Sequence, residues 1–178
     1  MKLVLAVFVL AFATSSVRAE KIIAVRGPAP ALPVEAKWIG TKKLPRIDDM
    51  RGSVILVHFW HEGSDPCRNN FGFFGGWMER FGVKGALKIV GIHGPDTVDN
   101  PENADIEKTA TKMSKIFPTA IEETDLTMKA WKVGQVPTLF LIDKKGQLRY
   151  SWEGQMNFRR LHGDLMVEEK IVELMNEK

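Results

Sequence analysis

Ser53-Val-Ile-Leu-Val-His-Phe-Trp60, followed four residues later by Ser64-Asp-Pro-Cys67, decides how this chain folds. The first run is β-branched and apolar without alternation, the pattern of a central strand covered on both faces. Its one polar interior residue is His58. Ser64 carries the short oxygen that accepts from free amides at a helix start. Asp65 suits the positive end of the helix dipole, and Pro66 suits a first turn whose N–H groups lack partners. A helix is predicted over Ser64 to Phe81, with Phe71, Phe74, Trp77, Met78 and Phe81 at helical spacing. Gly72, Gly75 and Gly76 predict that it is kinked or loosened. Ala86-Leu-Lys-Ile-Val-Gly-Ile-His93 is a second buried-type strand. Two such strands around a helix make a βαβ unit, which implies parallel pairing.

Working outward, residues 26–36 are too proline-rich for a helix and predict an extended lead-in reaching an edge strand. Downstream, Gly94 to Pro101 is rich in turn residues, and helical spacing returns over Ala104 to Phe117. A short helix over Asp125 to Lys132 precedes Val136-Pro-Thr-Leu-Phe-Leu-Ile-Asp143, and Lys144-Lys-Gly146 turns that strand into Gln147 to Trp152 as an antiparallel hairpin. The last helix, Phe158 to Asn176, is expected to bury Leu161, Leu165, Ile171, Val172 and Met175. The order β-α-β-α-α-β-β-α gives an α/β protein with a mixed central sheet and helices on both faces.

Residues 1–19 read as a secretory leader: Lys2, an apolar run from Leu3 to Phe12, then Val17-Arg18-Ala19 as a cleavage site. Residues 20–178 are then one domain, expected in the periplasm or secreted. The apolar run is about half of what a membrane-crossing helix needs, so no transmembrane segment is expected after cleavage. Lys and Arg exceed Asp and Glu by 25 to 22, and Lys2 and Arg18 carry two of those positive charges. The remaining balance is close to neutral and no basic stripe is interleaved with aromatics, which excludes nucleic acid as a partner. Cys67 is the only cysteine. It is free, modified, metal-bound or paired with another molecule.

Ile55 to Arg68 resembles the strand-to-helix turn of thioredoxin-like proteins, in which two cysteines stand at the helix start. Gly27-Pro-Ala-Pro30, Val136-Pro-Thr-Leu-Phe-Leu-Ile-Asp143, Lys144-Lys-Gly146 and Glu153-Gly154 fall in family order. The whole is similar to the exported TlpA/ResA-type branch of thiol-disulfide oxidoreductases. The resemblance implies the thioredoxin-like fold, with protein thiols or disulfides, or an extended client peptide, as partners and no cofactor. It also implies that Ser64 stands where the family has its nucleophilic cysteine. A serine oxygen does not enter thiol-disulfide exchange, so the two-thiol cycle is closed within one chain.

The resemblance makes Cys67, Ser64 and His58 the candidate catalytic residues. Ser64-Asp-Pro-Cys67 is also a sound helix start with no further role. A first-turn thiol feels the helix dipole, which lowers its pKa, while burial raises it. His58 occupies the place of the family's buried carboxylate. It is either a neutral core histidine or the cation of an ion pair with a Cys67 thiolate. Pro137 resembles the family's cis-proline, and Val136, Pro137 and Trp60 are the implied substrate-docking residues. His61 is expected at the surface. A metal held by His58, His61, His93 and Cys67 matches no zinc spacing, and no metal site is expected. Ser64-x-x-Cys67 also has the form of a peroxiredoxin site. Trp60 and Pro137 stand where that family has a proline and an arginine, which counts against it. Two readings remain: single-thiol exchange at Cys67, or a redox-inactive binding module.

Overall fold

The computed structural model describes residues 22–95 and 105–178. The expected leader and most of the turn-rich stretch after Gly94 lie outside them. The elements in chain order are β1 (Ile23–Pro28), β2 (Lys37–Ile39), β3 (Val54–Trp60), α1 (Asp65–Phe81), β4 (Leu87–His93), α2 (Ile106–Met113), β5 (Thr119–Ile121), α3 (Leu126–Ala130), β6 (Thr138–Ile142), β7 (Gln147–Glu153) and α4 (Gly163–Asn176). The strands form one sheet in the order β1-β7-β6-β3-β4-β5-β2.

All seven residues of β3 are buried because the strand lies at the middle of the sheet with both faces covered. It runs parallel to β4, with Val54 opposite Leu87 and Trp60 opposite His93, and antiparallel to β6. Successive residues point to opposite faces. Val54 and Leu56 pack with Phe74 and Trp77 of α1 and with Val167, Ile171 and Leu174 of α4. Ile55, Val57 and Phe59 pack with Trp131, Phe140, Leu32 and Met50 on the other face. Each such side chain contributes about 1.5–3 kcal/mol by leaving water, so β3 anchors two half-cores at once.

Four expectations are corrected. The helix α1 is unbroken over 17 residues despite its three glycines. Buried Phe74 and Trp77 hold it to the sheet, and Trp77 Nε1 donates to Glu168 of α4 at 3.0 Å, so packing outweighs propensity. The strands β2 and β5 carry no periodic signal in three residues each; they exist because they pair with each other and, through β5, with β4. The helix α2 ends at Met113, four residues before Phe117. The last helix starts at Gly163, after a separate 3-10 turn at Phe158–Arg160. Its buried residues are Gly163, Val167, Ile171 and Leu174, while Leu165 and Val172 are exposed. The phase is set by Gly163, where a Cβ would stand 2.4 Å from Trp152 Cζ2.

Candidate functional site

The site forms where β3 ends and α1 begins. Ser64 leaves the loop in an extended conformation (φ −96°, ψ 107°), and its hydroxyl oxygen accepts from the backbone N–H of Cys67 at 3.4 Å. Pro66 occupies the first turn, as the sequence requires. One turn of helix then carries Cys67 inward. Its exposure is 0%, and it packs with Trp60 and with Ala110 of α2.

Burial pushes the Cys67 thiol above its ordinary pKa, although the Ser64 hydroxyl, the His61 main chain and the Arg68 charge all pull the other way. The thiol is therefore protonated at neutral pH. His58 is also fully buried, lying edge-on to Phe74 at 4.9 Å and Phe71 at 5.5 Å between ring centroids. Among the described residues neither of its ring nitrogens has a hydrogen-bond partner, and desolvation pulls its pKa down to about 3. Of the two readings of His58, these surroundings favour the neutral core histidine over the imidazolium–thiolate pair: low-dielectric packing disfavours charge on both groups, and no hydrogen bond joins them.

His61 is half-buried rather than at the open surface, with Nε2 at 3.3 Å from the Pro95 carbonyl oxygen and its ring stacked on His93 at 4.7 Å. His93 Nε2 accepts from the backbone N–H of Glu62 at 3.1 Å. Among the described residues no three His, Cys, Asp or Glu side chains are placed to hold a metal.

The Val136–Pro137 peptide bond is cis. The Pro137 carbonyl accepts from Gly154 N–H at 2.8 Å, and Thr138 Oγ1 donates to the Gln135 carbonyl at 2.7 Å, which fixes the approach to β6. Between this loop, the β3–α1 turn and α3 lies a groove of about 500 Å³. Trp60, Ser64 and Val136, all implied by the resemblance, meet on its wall with Pro95, Met128 and Val133. Pro137 stands behind Val136, buried, and Cys67 and His58 do not line the groove. Met128 and Val133 were not foreseen, because nothing in a short helix near residue 126 tells which active-site loop it faces. At the rim Lys129 pairs with Asp125 at 2.9 Å.

Residues 25–151 match the model of the AhpC/TSA family. The chain belongs to that family. Among curated proteins, this AhpC/TSA protein is 29% identical over 111 residues to the thiol-disulfide oxidoreductase ResA of Geobacillus kaustophilus, covering 62% of this chain and 60% of ResA. It is 23% identical over 137 residues to the thiol-disulfide oxidoreductase YkuV of Bacillus subtilis, covering 77% of this chain and 90% of YkuV. The match thus spans about 60% of the length of that ResA. Among solved structures, a thioredoxin-like protein in the oxidised form superposes with a TM-score of 0.67 at 22% identity, over 84% of this chain and 95% of that one. A thiol-disulfide isomerase from Corynebacterium glutamicum gives 0.67 at 21% identity, over 84% and 98%. The AhpC/TSA chain therefore has the thioredoxin-like fold, with the mixed sheet expected from its sequence.

Proposed function

We propose that this AhpC/TSA protein is an exported client-binding module that has left the two-thiol cycle and holds an extended polypeptide segment in the groove between Ser64 and Val136. The observation that carries this reading is the order of depth at the helix start. The residue bordering the groove is a serine, and the only cysteine of the chain lies behind it with no exposed surface and a raised pKa. Thiol-disulfide exchange needs a thiolate that reaches a partner's sulfur. Cys67 supplies neither the charge nor the reach, which also removes support from a peroxide-attacking thiolate. What the site does supply is an apolar groove of ligand-binding size beside a strand end, where an extended segment can add its main chain to the edge at Val136. Export rests on the leader pattern of residues 1–19.

The test pairs catalysis with binding. Insulin reduction with a thiol donor is expected to show no turnover above background in wild type or Cys67→Ser. Both proteins should bind reduced, carboxymethylated α-lactalbumin equally. Gly134 lies on the groove wall, and a Cβ there meets nothing within 4 Å. Gly134→Trp should therefore block the groove without disturbing the core and weaken binding by about tenfold or more. Turnover in wild type that vanishes in Cys67→Ser would replace this reading with single-thiol exchange.

A further inference from the structure

We infer that the Phe158-Arg159-Arg160 turn is a second docking point for the client, fitted to a carboxylate-bearing stretch beyond the part held in the groove. This deepens the binding reading above and rests on it. Three observations meet here. Phe158 keeps 43% of its surface in water, with the Arg159 guanidinium carbon 5.0 Å from its ring centroid. Arg159 and Arg160 are consecutive non-glycine residues in the left-handed region, at φ 47° and 66°, where a side chain is disfavoured. Neither forms an ion pair among the described residues; Arg26 and Arg46 also form none, but they stand alone, whereas Arg159 and Arg160 are adjacent, and Arg51, Arg68, Arg80 and Arg149 are each paired. Of the acids closest in sequence, Glu153 already accepts from Gln135 at 3.2 Å, and Asp164 forms no ion pair among the described residues. A strained turn that presents an aromatic ring and two uncommitted guanidinium groups to solvent has no account in the packing of the fold.

Its position links it to the groove. Gly154 N–H donates to the Pro137 carbonyl, and the Gly154 carbonyl accepts from Asn70 Nδ2 at 3.1 Å. Asn70 Oδ1 in turn accepts from Met156 N–H at 2.9 Å, and Asn69 Nδ2 donates to Gln155 Oε1 at 3.0 Å. These bonds tie residues 154–156, which lead into the turn, to the helix that begins after Ser64. From Gly154 to Phe158 is four residues, at most about 14 Å of chain, so a segment seated at Val136 reaches the turn within a few of its own residues. Guanidinium forks match carboxylates, and an exposed ring beside them takes an apolar or aromatic neighbour.

The experiment uses two fluorescein-labelled dodecapeptides that share a central Phe and differ in one flanking pair, Glu-Glu or Lys-Lys. Fluorescence anisotropy on wild type should show the Glu peptide bound about tenfold tighter, an advantage that shrinks as salt is raised. The double variant Arg159→Gly/Arg160→Gly removes both charges at positions whose backbone suits glycine, so the fold is retained. It should lose the Glu preference and leave the Lys peptide unchanged. Equal binding of the two peptides to wild type, abolished by Gly134→Trp, would overturn the second docking point and leave the groove reading standing. Binding of neither peptide would overturn both. A Glu preference that persists in the double variant would place the acid-binding surface elsewhere, and adsorption of wild type to phosphatidylglycerol vesicles without any Glu preference would make this a lipid contact.

Discussion

At position 58 a neutral imidazole sits between Phe71 and Phe74 with both ring nitrogens unpartnered among the described residues, and its pKa is pulled to about 3. An unfolded chain binds a proton at His58 near the ordinary histidine value of 6.5, while the folded chain does so only near 3. Between those values the unfolded state holds more protons, so stability falls as pH drops below about 6.5. His58 alone should remove about 2 kcal/mol between pH 6.5 and 5. Glu168, Glu173 and Glu177, held low by Arg80, Lys170 and Arg149, lose their contributions only as pH falls through the ordinary glutamate value of 4.5 and below. Glu122, whose carboxyl burial pushes up, takes a proton first in the native state above 4.5 and so works against His58 there. Comparison with a variant separates the two: His58→Leu should flatten or reverse the slope in urea unfolding between pH 6.5 and 5. It should also be more stable at neutral pH, since apolar replacement of unsatisfied polar atoms removes a cost of about 1–3 kcal/mol. An unchanged slope would show His58 solvated in the native state. Cys67 has the opposite sense. Its raised pKa gives stability that is complete below the unfolded thiol's value of 9.0 and lost as pH rises through the folded value. Iodoacetamide should label it slowly at pH 8, and His58→Asn should leave that rate unchanged, because two neutral groups exert no charge on each other.

Helices in this chain obey packing before propensity, and two glycines separate the effects. Gly72 lies in α1, where an added Cβ meets nothing within 4 Å. Gly72→Ala should stabilise the protein by about 0.5–1 kcal/mol, the ordinary difference in helix propensity. At Gly163 the same methyl would stand 2.4 Å from Trp152 Cζ2 and 2.6 Å from the Met156 carbonyl oxygen. Gly163→Ala should cost about 1–3 kcal/mol, because buried Trp152 cannot retreat without disturbing β7. Equal effects in urea melts would contradict this account of how α4 is seated. The same contact explains why the sequence was ambiguous there. The helix carries one apolar stripe through Val167, Ile171 and Leu174 and another through Leu165 and Val172, and periodicity alone does not rank them.

Across the whole molecule, the groove draws on the end of β3, the start of α1, the loop before β6 and the residues around α3, parts of the chain up to about 75 residues apart. If Ser64 stands in the nucleophile's place, the scaffold is one atom from a dithiol site. Ser64 Oγ already stands over the first turn of the helix, accepting from the Cys67 backbone N–H at 3.4 Å. Ser64→Cys should form an internal disulfide under mild oxidant, with a mass two hydrogens lighter, and should gain insulin reduction absent from wild type. Failure to close that disulfide would show that residue 64 does not correspond to the family's first cysteine.

By itself the sequence determined the central strand, the helix start at Ser64, the β6–β7 hairpin and the position of the lone thiol. Each is written in adjacent residues: a fully apolar run, a capping oxygen followed by proline, a Lys-Lys-Gly turn. Tertiary structure alone decided the charge states of His58 and Cys67, the phase of α4, the existence of β2 and β5, and the far wall of the groove. Charge depends on how completely water is excluded, and that is set by Phe71, Phe74, Trp60 and Ala110 arriving from separate elements. A three-residue strand has no pattern to read until a neighbour offers it hydrogen bonds, and a groove wall belongs to whichever residues the fold brings opposite each other.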